Sequence, residues 1–83
     1  MRLLYFAWVR QKVGRGEELV DAPAEATTVG ALVQWLQSRG GGYADAFADL
    51  KRVRIAVNQE HVDFGAPVRS GDEVAFFPPV TGG

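Results

Sequence analysis

The residues of this chain with a capacity for chemistry are few, and the strongest candidate is a main-chain group. The sequence closes on Phe76-Phe77-Pro78-Pro79-Val80-Thr81-Gly82-Gly83, an apolar pair running into two prolines and then into glycines without side chains. Proline ends a strand by removing a ladder donor and fixing φ, and paired glycines leave a backbone thin enough to thread a narrow channel. The six residues after Phe77 span at most roughly 20 Å when extended. An α-carboxyl group titrates near pH 3.3–3.7, so that of Gly83 is ionised at about pH 7 and is a poor electrophile. Conversion to an acyl-adenylate by ATP would supply a leaving group, after which sulfide, a thiol or an amine could attack the carbonyl. The carboxylate of Gly83 is therefore the expected reactive group.

The side chains offer little competition. His61 is the sole histidine and has no serine, cysteine or second histidine at a spacing that suggests a nucleophile and its base. A surface or partner-facing role is expected for it. Asp63, Asp72 and Glu73 are carboxylates near the end, but Asp72 follows Gly71 in a turn and Glu73 opens a strand, so structural roles are expected for both. Gly40-Gly41-Gly42 follows a predicted helix and reads as a cap and hinge rather than a phosphate loop. The absence of cysteine excludes a disulfide framework, thiol catalysis and thiolate metal sites, and any sulfur the chain carried would have to ride elsewhere.

Composition sets the frame for these groups. With 83 residues, 47% of them hydrophobic and 23% charged, the chain reads as a single globular domain, residues 1–83, with 78–83 as an extended tail. A net charge of −1 gives no basic footprint for nucleic acid or an anionic membrane. The apolar run Leu3–Val9 is far too short for a bilayer span of about 20 residues. Arg10 and Lys12 close it and no small-residue cleavage pattern follows, so a strand is expected rather than a signal peptide, and a cytoplasmic location with it.

The elements that must position the tail follow from periodicity. Leu3–Val9, apolar on both parities, predicts a central strand; Gly14-Arg15-Gly16 predicts a turn, with Glu17–Asp21 returning as its hairpin partner. Thr27 or Thr28 is a natural cap for a helix from Val29 to Arg39, with Val29, Leu32, Val33 and Leu36 on one face. Tyr43, Phe47 and Leu50 predict a shorter helix or turn. Val53–Val57 alternates as a strand, short strand pieces are expected at His61–Phe64 and around Val68, and Ser70-Gly71-Asp72 turns the chain into a last strand, Glu73–Phe77. The expected fold class is α+β, with one main helix packed on one face of a mixed sheet. An aromatic patch should then remain on the other face, and such patches commonly meet partners.

Three segments carry a resemblance: Leu4-Tyr5-Phe6-Ala7-Trp8-Val9-Arg10, Val57-Asn58-Gln59, and Ser70 through Gly83, the last highly specific. Across nearly its whole length the chain resembles the ubiquitin-like sulfur carriers, in particular the small subunits of molybdopterin synthases. The resemblance implies a β-grasp fold. It implies that a partner adenylyltransferase, related to ubiquitin-activating enzymes, uses ATP to make the Gly83 acyl-adenylate, and that a sulfur donor protein converts this to a thiocarboxylate. Pro79, Val80, Thr81, Gly82 and Gly83 would then enter the large subunit's active site and give sulfur to cyclic pyranopterin monophosphate, building the dithiolene of molybdopterin.

Family members form a heterotetramer around a dimer of large subunits, and their small-subunit contacts correspond to Phe6, Phe77 and His61, the last where an apolar residue is common. The chain would be a sulfur-donating subunit, inactive alone, with no bound cofactor. Carriers for thiamine thiazole synthesis share the Gly-Asp turn and terminal glycine pair but lack the Phe-Phe-Pro-Pro-Val-Thr segment. A protein modifier joined through Gly83 to a lysine would use the same adenylate.

Overall fold

The computed structural model describes residues 1–79. Five strands form one mixed sheet: β1 (Arg2–Tyr5), β2 (Glu17–Leu19), β3 (Arg54–Val57), β4 (Glu60–Val62) and β5 (Glu73–Phe77), in the order β2-β1-β5-β3-β4. β1 and β5 lie parallel at the centre, with Tyr5 beside Phe76, and the other pairs are antiparallel. Three helices, α1 (Ala7–Val13), α2 (Val29–Ser38) and α3 (Gly41–Ala46), complete an α+β domain of the ubiquitin-like β-grasp type.

One sheet face carries the core. Leu3, Tyr5, Val74, Phe76 and Ile55 point to the same side by alternation and meet Val29, Leu32, Val33 and Leu36 of α2 and Ala46 of α3. Phe76 stacks on Tyr5 with ring centroids 5.9 Å apart and receives Phe47 edge-on at 5.0 Å. Each such buried aromatic contributes about 1.5–3 kcal/mol, with roughly 0.5–1.5 kcal/mol more for a well-placed ring pair.

The helix expected from Val29 forms as predicted, with the Thr28 hydroxyl accepting from the Ala31 amide at 3.1 Å. The expected strand Leu3–Val9 does not. It ends at Tyr5, and Ala7-Trp8-Val9 open α1, which closes at Gly14 in the left-handed region with its amide on the Arg10 carbonyl. The aromatic and β-branched residues that favoured a strand are outweighed because Val9, placed on a helix, reaches the core and is fully buried. The amino-terminal hairpin thus pairs as predicted, but a helix fills its connection, and β2 stops at Leu19 rather than Asp21. The second helical segment divides into α3 and a 3₁₀ turn at Leu50–Arg52. Val68 joins no strand; its amide bonds to the Thr27 carbonyl, next to an isolated bridge between Thr28 and Pro67.

α1 and α3 touch through backbone. A Cβ built at Gly42 would overlap the Lys12 carbonyl group, so the third glycine of Gly40-Gly41-Gly42 is a site of close helix approach in addition to the expected cap. The cap itself is present: Gly40 and Gly41 have φ of 73° and 54°, which glycine adopts without penalty.

A polar cluster that periodicity did not reveal ties β2 to the same region. Glu18 takes the core-side position of an edge strand and is 8% exposed. Its carboxylate accepts from the Tyr5 hydroxyl at 3.1 Å, the Tyr43 hydroxyl at 2.7 Å and the Arg39 guanidinium at 2.8 Å. Arg39 lies over the Tyr43 ring, 4.3 Å from its centroid. Burial alone would push the Glu18 carboxyl up, but the bonds from Arg39, Tyr43 and Tyr5 outweigh it and hold the group below its ordinary value. Burial and the Glu18 charge push the Tyr5 hydroxyl up, so it remains a donor.

Gly42→Ala is expected to destabilise the domain by about 1–3 kcal/mol, the range for forced overpacking, seen as a lower midpoint in urea denaturation. Glu18→Gln should cost about 1–3 kcal/mol at neutral pH by weakening charge-assisted bonds. Because the folded Glu18 group titrates below the ordinary glutamate range, its contribution is present above that range and is lost as pH falls through the lowered folded value. The stability gap between wild type and variant should narrow in that acid window; a gap independent of pH would refute the assignment.

Candidate functional site

The residues expected to meet partners are collected on the sheet face opposite the helices. Leu4, Ala75, Ala56 and His61 fall in one row across β1, β5, β3 and β4. A second row lies towards the carboxyl end of β5: Phe77 stands opposite Arg54, and Phe6 continues the parallel ladder through its amide, which bonds to the Phe76 carbonyl at 3.0 Å. Small side chains at Ala75 and Ala56 leave a low floor between larger residues.

Phe6 is 47% exposed although it follows a central strand, and Phe77 is half-buried. The exposed His61 ring meets Phe77 edge-on at 5.2 Å. The three expected contact residues are therefore gathered at one end of one face, although His61 is 55 positions from Phe6 (61 − 6). Leu4, Ala56 and Ala75 were not expected in the patch; the alternation of β1, β3 and β5 carries that signal once the sheet order is known.

β5 aims the tail. Its last register pair is Phe77 with Arg54, and Pro78 then offers no amide to either neighbouring strand. Pro78 and Pro79 are both half-buried beside the sheet end. Val80, Thr81, Gly82 and Gly83, to which the expected chemistry is assigned, lie outside the described residues.

The carboxylates near the end have structural partners, and Asp72 and Glu73 stand at the opposite end of the sheet from Phe77. Asn58 and Gln59 form the β3–β4 turn with φ of 51° and 70°, the left-handed pair suited to a tight hairpin. The Asn58 side chain accepts from the Glu73 amide at 3.0 Å and donates to Asp72 Oδ1 at 3.1 Å, while Asp72 Oδ2 accepts from the Arg69 amide at 2.9 Å. The Arg69 amide, then Asn58, hold the Asp72 carboxyl below the usual carboxylate range. Glu73 faces Arg2 at 3.7 Å. Asp63 accepts from the Gly65 amide at 2.9 Å. Among the described residues no group of three His, Cys, Asp or Glu is arranged to hold a metal ion, and no helix is long and apolar enough to cross a membrane.

Comparison with known proteins places this geometry. The model of the ThiS family matches residues 3–83. The molybdopterin synthase sulfur carrier subunit of Escherichia coli (strain K12) is 45% identical over 83 residues, covering 100% of this chain and 99% of that protein. Among solved structures, Haloferax volcanii small archaeal modifier protein 1 superposes with a TM-score of 0.73 at 29% identity, over 96% of this chain and 97% of the other. A chain from the complex of subunits 1 and 2 of the Helicobacter pylori molybdopterin-converting factor has a TM-score of 0.65 at 23% identity, covering 99% and 96% of the two chains, a likeness of fold.

Proposed function

This chain belongs to the ThiS family, and on that premise we propose that it is the sulfur carrier subunit of a molybdopterin synthase. The observation that carries the reading is the 45% identity, end to end, with the Escherichia coli protein of that name. The paired aromatics on an open sheet face and the diproline exit of β5 support it. A subunit that delivers a tail to another protein requires a contact surface beside the point where the tail departs.

The chemistry follows from the carboxylate. An oxygen of the Gly83 carboxylate attacks the α-phosphorus of ATP held by the activating partner, pyrophosphate leaves, and a mixed anhydride with AMP results. Hydrosulfide released by the donor protein adds to the carbonyl and AMP departs, leaving a thiocarboxylate with no change of sulfur oxidation state. In the large subunit that sulfur passes to cyclic pyranopterin monophosphate, and hydrolysis returns the carboxylate. A dithiolene contains two sulfurs, so two loaded carriers serve each product. This chain's own side chains take no part in bond making: they pack, orient the tail and bind the partner. Steric thinness at Gly82 and Gly83 lets enclosing enzymes hold the backbone close to phosphate.

A second reading is favoured by the likeness to the Haloferax volcanii modifier protein. The same adenylate, attacked by a lysine amine, would give an isopeptide bond. The two differ in the nucleophile.

Incubated with its adenylyltransferase, ATP and a sulfur donor, the protein is expected to gain the mass of one oxygen-to-sulfur exchange at its terminus. Deleting Gly83 should abolish that gain and leave the circular dichroism spectrum unchanged. No mass change with an activator proven competent on another carrier would sink the carrier reading, and lysine-linked conjugates in cells would favour the modifier. Phe77→Ala should weaken large-subunit binding by tenfold or more, as expected for an aromatic anchor worth about 2 kcal/mol, with little change in melting temperature. An unchanged Kd in titration calorimetry would remove the open face from the interface.

A further inference from the structure

The exit end of the sheet carries a second feature that neither the tail nor the aromatic patch uses. Nine cations and ten carboxylates are nearly balanced over the chain, yet their placement is uneven. Arg2 pairs with Glu17 at 2.7 Å, and Arg15 and Arg39 both face Glu18. Arg10, Lys51, Arg52 and Arg54 are exposed and have no carboxylate within ion-pair distance among the described residues.

Arg10 and Arg54 border the apolar patch on opposite flanks, and Lys51 and Arg52 stand in the 3₁₀ turn that precedes Arg54. Arg10 projects from α1 past Gly16, where a Cβ would stand 3.2 Å from its guanidinium carbon. On the other flank Arg54 is in register with Phe77 and points to the same face. Its guanidinium donates to the Lys51 carbonyl at 3.1 Å and the Val53 carbonyl at 3.3 Å, which bends it towards the 3₁₀ turn. Arg52 in that turn lies over Trp8 of α1, 5.3 Å from the ring centroid. The nearby Asp49 accepts from the Lys51 amide at 3.1 Å as the cap of the turn. Glu60 and Asp72 lie at the far end of the sheet with Arg69, whereas Asp63, which follows the Val62–Ile55 pair, stands at the exit end with its Oδ1 taken up by the Gly65 amide; the four cations thus gather where the tail leaves, beside Asp49 and Asp63.

We propose that Arg10, Lys51, Arg52 and Arg54 form a docking crest for a rim of carboxylates on the large subunit, around the mouth of the channel that takes the tail. This rests on the reading that the open face meets that subunit, because the crest is continuous with it through Arg54 and Phe77. Arg52 and Arg54 are already held by a ring and by carbonyls, so ordering them against carboxylates costs less entropy than ordering free side chains. Rim charges act chiefly on the rate and orientation of encounter: opposed charges align the sheet end, and with it the tail, before the aromatic contacts close. For a carrier that must dock and leave repeatedly, fast oriented association is gained without slow release.

The test is association kinetics between this protein and the purified large subunit, followed by stopped-flow fluorescence. Arg52→Glu/Arg54→Glu is expected to lower the association rate roughly tenfold at low ionic strength and to change dissociation little. The deficit should close at about 0.5 M NaCl, where the screening length falls below roughly 5 Å. Lys51→Glu, at an exposed side chain with no hydrogen bond or ion pair among the described residues, should move the rate in the same direction and keeps the test valid if the double variant folds poorly. Arg69→Glu, at the other end of the sheet, should leave the rate unchanged. Folded crest variants that associate at the wild-type rate at low salt would overturn the proposal. Should Phe77→Ala weaken binding in the same series, only the crest fails; should it also have no effect, the assignment of the open face to this partner fails with it.

Discussion

The parallel pairing of β1 with β5 is the constraint on which the remaining structure depends. It joins residues 2–5 to residues 73–77, so nearly the whole chain must be wound between its two central strands. The stack of Tyr5 on Phe76 stabilises it from the core side, with Phe47 closing the aromatic group and α2 covering it. Parallel register also gives both strands the same direction. Phe6 and Phe77 consequently emerge at the same end, and the tail leaves between an aromatic neighbour on one side and Arg54 on the other. In an antiparallel pairing Phe6 and Phe77 would stand at opposite ends.

A single sheet with its helices on one side leaves a face to spare, and the chain uses that asymmetry. Large residues and dense aromatic packing occupy the covered side; alanines at positions 56 and 75 and a few larger side chains occupy the open one. The covered side is also where polar groups are most constrained. Glu18 sits inward on an edge strand, and its partners come from β1, the end of α2 and α3, so one carboxylate fixes three elements that are distant in sequence. Inward-pointing charge also makes β2 a poor template for further strand pairing. α1 and α3 meet closely enough that glycine is required at position 42.

The proposed activity asks unusual things of such a domain. In the proposed cycle a main-chain carboxylate is the reacting group, so the folded part need supply no acid, base or nucleophile. Its carboxylates at Asp63 and Asp72 accept from backbone amides, Asp72 accepts from the Asn58 side chain as well, and the Glu73 carboxylate faces Arg2; the one histidine packs on Phe77. In that proposal the fold provides direction, a contact surface, and exposed cations grouped where the tail leaves.

By itself the sequence determined the elements whose signals are local. Helix α2 follows from its cap and its 3.6-residue period, β3 from alternation, β5 from its apolar run after the Ser70-Gly71-Asp72 turn, and the stop after Phe77 from proline, because each depends on neighbours a few residues away. The terminal glycines pointed to carboxylate chemistry for the same kind of reason. Tertiary structure alone decided the rest. Ala7-Trp8-Val9 has strand composition, yet forms a helix because burying Val9 against distant elements outweighs a small intrinsic preference. The inward turn of Glu18 depends on partners 13 and more positions away, and the gathering of Phe6, His61 and Phe77 on one face depends on strand order. Register across a sheet is set by which long-range burial is most favourable, a quantity that no short window of sequence contains.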